Sequence, residues 1–191
     1  MRLVLASTSP YRRQLLERLR VPFTSVSPGV DEAAVKQSLR VPEAVVQELA
    51  RRKALAVATH HRDAIVIGSD QCVCLDGDIL DKPGAATAAI AQLQRLQGRA
   101  HELLTAVAIA HGGGLVEFLD RTRLWMRPLT AAETARYVAA EQPFDCAGSY
   151  KIEGLGVALF DRIECDDQTA IVGLPLLRLC AELRKLGVAL P

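Results

Sequence analysis

Aromatic residues are scarce in this sequence, at 4% of 191 residues, while half of all residues are hydrophobic. The core must therefore be built mainly from Leu, Val, Ile and Ala. An excess of one charge is also missing, since 23 Lys and Arg stand against 22 Asp and Glu, a formal net charge of +1. A long nucleic-acid footprint usually needs a strongly basic face. The charge balance therefore argues against a nucleic-acid polymer as partner and leaves room only for a local basic cluster.

Long apolar runs are missing as well. The first apolar segment, Leu3–Ala6, is too short for the core of a secretory signal, and polar residues and arginines follow it at once. No stretch approaches the ~20 apolar residues of a membrane helix. Five cysteines form an odd set without a disulfide pattern, which favours a reducing compartment. We therefore expect a cytoplasmic protein that does not enter a membrane.

Helical and strand periods alternate along the whole chain, without a low-complexity linker or an internal repeat. The periods predict strands at 3–6, 23–27, 64–67, 73–75, 103–110 and 115–126. They predict helices at 10–20, from 42 onward, and at 85–96, 131–140 and 173–186. This mixture predicts a single α/β domain over residues 1–191, and the long hairpin near 103–126 makes its sheet mixed.

A small polar loop follows the first predicted strand and contains several groups that could bind an anion. Ser9 and Pro10 form a helix-start signal. Unpaired amides and the helix dipole favour an anion at such an end. The hydroxyls of Ser7 and Ser9 and the guanidinium groups of Arg12 and Arg13 add donors for phosphate oxygens. The alternative is a capped helix with solvated arginines.

Asp70 is a candidate for chemistry because it follows the apolar strand Ala64–Ile67, which we expect to end at Gly68. In α/β sheets, ligands gather outside the carboxyl ends of strands. A carboxylate in that position can hold a divalent cation or orient a water molecule. The alternative is an ordinary turn aspartate.

Lys53 lies on the apolar stripe of a predicted helix, together with Val46, Ala50 and Val57. Its ammonium group either reaches a buried anion or extends outward along its own stem. Lys82 in a loop and Glu32 between predicted elements are ambiguous on their own.

The segment Ala147–Gly156 places two glycines beside Glu153, which would let a ligand approach the backbone closely. Its glycine spacing does not match a dinucleotide-binding fingerprint. The four histidines show no metal-binding spacing.

Taken together, these segments resemble the Maf, or septum-formation, family of nucleoside triphosphate pyrophosphatases. The matching motifs occur in order and extend over essentially the whole chain. They are Leu5-Ala6-Ser7-Thr8-Ser9-Pro10 with Arg12-Arg13, Gly68-Ser69-Asp70-Gln71, Lys82-Pro83, Ala147-Gly148-Ser149-Tyr150-Lys151-Ile152-Glu153-Gly154 and Val172-Gly173-Leu174-Pro175.

The resemblance implies hydrolysis between the α- and β-phosphates of a nucleotide, aided by a divalent metal cation such as Mg, Mn or Co. It also implies a cytoplasmic homodimer. The implied fold is a Maf/ITPase-like α/β fold, with a mixed twisted sheet flanked by helices and room for two lobes around a central cleft.

The resemblance also implies roles for individual residues. Asp70 corresponds to the general base, and Asp70 and Glu32 would hold the metal. Arg12 lies beside Arg13 in the matched motif and joins it as a substrate-binding residue. Asp81 departs from the glycine that usually precedes the family's lysine. The positions that correspond to the family's polar active-site set are Ser7, Arg13, Glu32, Lys53, Asp70 and Lys82.

Three positions resemble the branch of the family that acts on 7-methyl-GTP. These are Tyr11, Gln71 and Glu153, where the dTTP and UTP branch typically has Arg, Thr and Gln. N7-methylation makes guanine cationic, and an aromatic face attracts such a cation by roughly 0.5–2 kcal/mol. A carboxylate can accept both the N1 and N2 protons of guanine. The alternatives are a dTTP or UTP pyrophosphatase and a weakly hydrolysing, nucleotide-binding regulator of cell division.

Overall fold

The computed structural model describes residues 2–191, and within that range the chain forms seven β-strands and seven α-helices. The strands are β1 (Arg2–Ala6), β2 (Phe23–Ser25), β3 (Ala64–Leu75), β4 (Asp78–Leu80), β5 (Ala100–His111), β6 (Gly114–Met126) and β7 (Phe160–Glu164). The helices are α1 (Pro10–Glu17), α2 (Glu32–Ser38), α3 (Pro42–Ala58), α4 (Ala86–Leu96), α5 (Ala131–Glu141), α6 (Gln168–Val172) and α7 (Leu176–Lys185). None of the helices in residues 2–191 combines the length and apolar character that a membrane crossing needs.

The strands form one mixed sheet in the order β2-β1-β3-β5-β6-β7, with β4 paired to β3. Strand β1 is parallel to both of its neighbours, and Leu3 lies between Phe23 of β2 and Ile65 of β3. The pairs β3–β4 and β6–β7 are antiparallel. The α/β class and the mixed sheet predicted from the sequence are confirmed.

The chain divides into two compact units. The first unit runs through Asp70 and includes Thr105–Asp120 and Asp167–Pro191. The second unit contains Gln71–Leu104 and Arg121–Asp166.

The core of the first unit is aliphatic. Leu5, Leu16, Ile67, Ile109 and Leu179 are almost completely buried in one cluster. Within the described residues, Phe118 is the one aromatic member of its buried set. This agrees with the aliphatic core that the composition predicts.

Several aromatic side chains lie in the second unit. His101, Tyr150 and Phe160 contact one another, with ring centroids 4.9–5.9 Å apart. Burial lowers the pKa of His101 to about 4, so this ring is neutral at physiological pH. Trp125 on β6 lies beside the guanidinium groups of Arg123 and Arg162, at 4.9 and 4.7 Å from its ring centroid.

Strand β3 differs from the prediction, because it is one continuous strand and Asp70 lies inside it rather than after it. Gly68 had suggested a break, but its role is to permit close packing of α3. A Cβ atom at position 68 would lie 2.4 Å from the carbonyl oxygen of Ala50 and 2.5 Å from the amide nitrogen of Ala54. Because Gly68 has no side chain, the backbone of α3 can pack directly against β3.

The helix predicted over 173–186 begins later in the structure, at Leu176 of α7, and a separate short helix, α6, lies before Gly173. Gly173, with φ of 117°, ends α6, and Pro175 precedes α7. Gly187 follows α7 with φ of 84°, as expected for a helix stop. Helix α2, capped by Asp31, and strand β7 were not predicted, because both are short and weakly periodic. The helix predicted at 131–140 is α5, and a capping box formed by Thr130 and Glu133 fixes its start.

We expect Gly68→Ala to lower the free energy of unfolding by about 1–3 kcal/mol or more, because the new Cβ would meet the backbone of α3. Chemical denaturation measures this loss. Gly114→Ala is the matched control, since its Cβ would be tight only against the ring of His111, a side chain that can move, and would lie at an ordinary 3.5 Å from the backbone oxygen of that residue. Equal stability losses in the two variants would contradict the close-packing role of Gly68.

Candidate active site

The centre of the candidate site is a buried ion pair between α3 and β3. Gly68 and Asp70 lie on the same face of β3, and α3 packs against that face at Gly68. Lys53 Nζ donates a hydrogen bond to Asp70 Oδ1 at 2.6 Å. The two side chains are only 8% and 11% exposed. Of the two orientations that the sequence left open for Lys53, the structure has the inward one.

Glu32 adds a second carboxylate to this pair. Its Oε1 lies 2.7 Å from Lys53 Nζ, and its side chain is 47% exposed. Because Glu32 is the first residue of α2, the unpredicted helix brings this side chain to the pair. One ammonium group therefore bridges a buried carboxylate and a half-exposed one.

Arg12 contributes a second positive charge. Burial raises the pKa of Asp70 above its usual range, while the charges of Lys53 and Arg12 act in the opposite direction. Burial likewise lowers the pKa of the Arg12 guanidinium, opposed by Asp70 and Glu32. Two cations and two carboxylates thus compensate one another in a cluster whose inner pair, Lys53 and Asp70, is buried. Such a cluster is typical of functional sites.

The polar loop before α1 is ordered by its own hydroxyl groups. Ser9 caps α1, and its Oγ accepts a hydrogen bond from the Arg12 amide at 3.4 Å. The Oγ of buried Ser7 accepts from the Ser9 amide at 3.2 Å. The capped helix of the alternative interpretation is therefore present, and its amides still point toward the loop, where an anion could bind.

The two arginines of α1 have different environments. Arg12 Nε donates to the carbonyl oxygen of Gly173 at 3.0 Å. Arg13 is 64% exposed, and its Nε donates to Glu17 Oε1 at 2.9 Å. Neighbouring residues of a helix point about 100° apart, so only one of the two can face the cluster. The structure brings Arg12 to Asp70 and leaves Arg13 at the surface.

Gly173 and Ser69 also belong to this environment, although neither was a candidate when the residues were considered one at a time. The carbonyl of Gly173 also accepts a hydrogen bond from Ser69 Oγ at 3.0 Å. Ser69 is fully buried and directly precedes Asp70. The matched motif around Gly173 was the one sequence signal for this contact. The hydrogen-bond acceptor is a backbone oxygen, which every residue type has, so the residue type itself could not indicate it.

The acidic pair can supply part of a cation site. Glu32 and Asp70 offer hard oxygen ligands, the type that Mg²⁺ and similar ions prefer. Within residues 2–191, no group of three or more His, Cys, Asp or Glu side chains is arranged to hold a metal. Mg²⁺ is usually bound through one or two carboxylates together with substrate phosphates and water. The donor set therefore fits a cation that is bound together with a phosphorylated substrate.

Of the remaining candidates, Tyr11 is half-buried on the first turn of α1, and the other three belong to the second unit. Lys82 is exposed in the segment between β4 and α4, and Gln71 is half-buried on β3. Glu153 is exposed in the segment between two short 3₁₀-helices, Ala147–Ser149 and Leu155–Leu159.

The segment that carries Glu153 is held by α5. The Tyr137 hydroxyl accepts a hydrogen bond from the Lys151 amide at 3.0 Å, and Glu141 Oε2 accepts from the Leu155 amide at 2.8 Å. Glu153 is thus an exposed carboxylate on an anchored loop, which suits contact with a ligand.

Comparison with known proteins gives consistent results. The profile of a family described as Maf-like protein matches residues 2–186. A protein named 7-methyl-GTP pyrophosphatase from Xanthomonas campestris pv. campestris (strain 8004) is 49% identical over 191 residues, which cover 100% of this chain and 98% of that protein. A protein of the same name from Xanthomonas oryzae pv. oryzae (strain MAFF 311018) is 50% identical over 190 residues, covering 100% and 99%.

Among solved structures, a HAM1 protein from Coxiella burnetii is similar with a TM-score of 0.50. The match covers 97% of this chain and 99% of that chain at 11% sequence identity. At this identity the similarity concerns the fold alone.

We expect Lys53→Met to destabilise the protein by about 3–5 kcal/mol at pH 8, because Asp70 would stay buried without its cation. The loss of stability caused by Lys53→Met should be smaller at pH 5 than at pH 8. Without Lys53 the already raised pKa of Asp70 rises further, so stability is lost as pH rises through that pKa. Chemical denaturation at the two pH values measures the effect.

The double variant Lys53→Met/Asp70→Asn is the control for this prediction. It removes both charges and should recover most of the stability that Lys53→Met loses at pH 8. If the double variant is no more stable than Lys53→Met, the ion pair does not determine the loss.

Proposed function

Because this chain belongs to the Maf family, we propose that it is a pyrophosphatase that hydrolyses 7-methyl-GTP to 7-methyl-GMP and pyrophosphate. The relatives named 7-methyl-GTP pyrophosphatase, at 49–50% identity over the whole chain, support this substrate. The observation that carries the proposal is the buried Lys53–Asp70 pair with the Arg12 charge beside it. A carboxylate next to buried cations suits the activation of water beside an anionic phosphate chain.

In the proposed reaction, Asp70 accepts a proton from a water molecule as the water oxygen attacks the α-phosphorus. A bond forms between that oxygen and the α-phosphorus. The bond from the α-phosphorus to the bridging oxygen breaks, and pyrophosphate leaves with the electron pair. The raised pKa of Asp70 suits this role, because it brings the carboxylate closer in basicity to the pH at which it works.

The cations next to Asp70 would stabilise the transition state. Negative charge builds up on the phosphoryl oxygens during attack, and fixed positive groups in a desolvated site offset it strongly. Lys53 is buried, and Arg12 is half-buried with its pKa lowered by partial desolvation. Ser7 would donate from its loop, and Arg13 and Lys82 would bind outer phosphate oxygens from their exposed positions.

A divalent cation, Mg, Mn or Co, completes the proposed site. Glu32 and Asp70 are the side chains that would hold it, because they are the two carboxylates at the cluster. When bound, such an ion neutralises phosphate charge and polarises the phosphoryl oxygen.

Recognition of the base is assigned to Tyr11, Gln71 and Glu153. Tyr11 lies half-buried on the first turn of α1, and Glu153 is exposed, so a ligand can reach both side chains. An aromatic face suits the cationic ring of 7-methylguanine, and a carboxylate suits its N1 and N2 protons.

The family resemblance also supports a cytoplasmic homodimer acting on a small-molecule nucleotide. A dimer should be measured in solution by light scattering at several protein concentrations. A monomer at all of them would contradict this part of the proposal.

We expect Asp70→Asn to lower turnover by about a hundred- to ten-thousand-fold, because an amide cannot accept the proton of water. The fold should persist, since the amide oxygen can still accept the hydrogen bond from Lys53. Pyrophosphate release should be measured with 7-methyl-GTP, GTP, dTTP and UTP. Asp63→Asn, at an exposed aspartate of the same unit, is the control and should keep full activity.

Two outcomes of this experiment would count against the proposal. Near-normal turnover by Asp70→Asn would remove that residue from the mechanism. If the wild-type protein binds nucleotides but releases no pyrophosphate from any of them, the regulator is the better interpretation.

We expect the triple variant Tyr11→Arg/Gln71→Thr/Glu153→Gln to shift preference from 7-methyl-GTP toward dTTP or UTP. The variant removes the aromatic face and the carboxylate that favour a cationic purine. The ratio of kcat/KM values for the nucleotides measures the shift. Tyr11→Phe keeps the aromatic face and should keep the original ranking, whereas an unchanged ranking in the triple variant would refute the specificity assignment.

A further inference from the structure

The carbonyl of Gly173 is shared by two side chains of the candidate site. Arg12 Nε and Ser69 Oγ each donate to it at 3.0 Å. Ser69 directly precedes Asp70 on β3 and is fully buried. One backbone oxygen therefore links the inward arginine of α1 with the strand that carries the proposed base.

The position of this carbonyl depends on the glycine. Gly173 ends α6 with φ of 117° and ψ of 10°, a backbone conformation that residues with a Cβ atom rarely adopt. A Cβ atom there would lie 3.3 Å from Arg12 Nε. Any larger residue would therefore both strain the turn and press on the arginine.

The α6–α7 corner around Gly173 is fixed by hydrogen bonds that the Asp167 carboxylate accepts. One carboxylate oxygen accepts from the Thr169 amide at 2.8 Å and from its hydroxyl at 2.6 Å, and the other accepts from the Leu177 amide at 2.7 Å. Thr169 Oγ1 in turn accepts from the Leu176 amide at 2.8 Å. Amides of both helices are thus satisfied by the side chains of buried Asp167 and half-buried Thr169, which hold the corner in place.

The hydrogen bond from Arg12 Nε to the Gly173 carbonyl determines which part of Arg12 can contact a ligand. A guanidinium group is planar, so fixing Nε fixes the plane in which its two terminal NH₂ groups lie. Those terminal groups are the ones that bind two oxygens of a phosphate side by side. A lysine in this place would have neither the Nε donor nor the planar fork.

We propose that Gly173 is a positioning residue, whose carbonyl orients Arg12 so that its terminal NH₂ groups grip the phosphate chain of the nucleotide. The assignment rests on the proposed function in that Arg12 is taken as a phosphate ligand. The positioning role would also explain what the matched motif around Gly173 contributes to the site.

Gly173→Ala tests this assignment, with Gly187→Ala as the matched control. Gly187 also has a positive φ, of 84°, but nothing lies within 4 Å of the Cβ it would carry. Both variants should lose a similar amount of stability. Only Gly173→Ala should lower kcat/KM for 7-methyl-GTP, by about 10- to 100-fold, because small displacements of a positioned group cost that much.

A double variant separates positioning from general damage. If Gly173 acts through Arg12, Gly173→Ala should cause no further loss in an Arg12→Ala background. Losses that multiply in the double variant, or an equal loss of activity in Gly187→Ala, would overturn the assignment.

Binding of inorganic tripolyphosphate by calorimetry gives a readout that does not need catalysis. Gly173→Ala should bind it more weakly than the wild type and Gly187→Ala should not, and equal binding by all three would again overturn the assignment. A wild-type protein that binds tripolyphosphate in this pattern but hydrolyses no nucleotide would refute the proposed function and leave the positioning role standing.

Thr169→Val provides a second route if Gly173→Ala does not fold. It keeps the shape of the side chain and removes the hydroxyl that joins Asp167 to the Leu176 amide. We expect a loss in tripolyphosphate affinity of about 2- to 10-fold, the equivalent of one hydrogen bond, and none in an Arg12→Ala background. Unchanged affinity would contradict a supporting role of the corner.

Discussion

The candidate site depends on one buried contact, the 2.6 Å hydrogen bond between Lys53 and Asp70. Taking two charges out of water costs several kcal/mol for each ion, and their attraction compensates only when the geometry is close. That geometry comes from Gly68, where the backbone of α3 occupies the space of a side chain. A glycine in the middle of a strand, normally a weak choice, is here what lets the ion pair form.

The burial of the Lys53–Asp70 pair also gives a reason for the charged groups next to it, Arg12 and Glu32. A buried carboxylate and ammonium alone would neutralise each other and leave little capacity for an anionic ligand. Arg12 adds positive charge, and Glu32 adds a half-exposed carboxylate. Together the four groups balance two positive charges against two negative ones around the buried pair.

The sequence predicted the fold class and most of the long elements, because β5, β6, α3 and α5 carry strong periods or caps. It failed where local signals were ambiguous. Gly68 suggested the end of a strand, and Gly173 was placed inside a helix that it in fact separates from the preceding one. In both cases the glycine serves a tertiary contact, and a tertiary contact has no local period.

The same distinction applies to the candidate site. The burial of Lys53 could be suspected from its place on an apolar stripe, but its partner could not. The resemblance placed Arg13 in the active-site set and added Arg12 only as its neighbour, whereas the direction in which α1 leaves its cap turns Arg12 inward and Arg13 outward. The support of Arg12 by a backbone carbonyl was invisible, because hydrogen bonding by the main chain does not depend on residue type.

The placement of the only tryptophan has a practical consequence for spectroscopy. Trp125 lies in the second unit beside two guanidinium groups, while the ion pair lies in the first unit. Intrinsic indole fluorescence therefore originates entirely from the second unit. Emission changes during unfolding or titration will report events around β6 and β7, and optical detection of events at α3 will require a label introduced there.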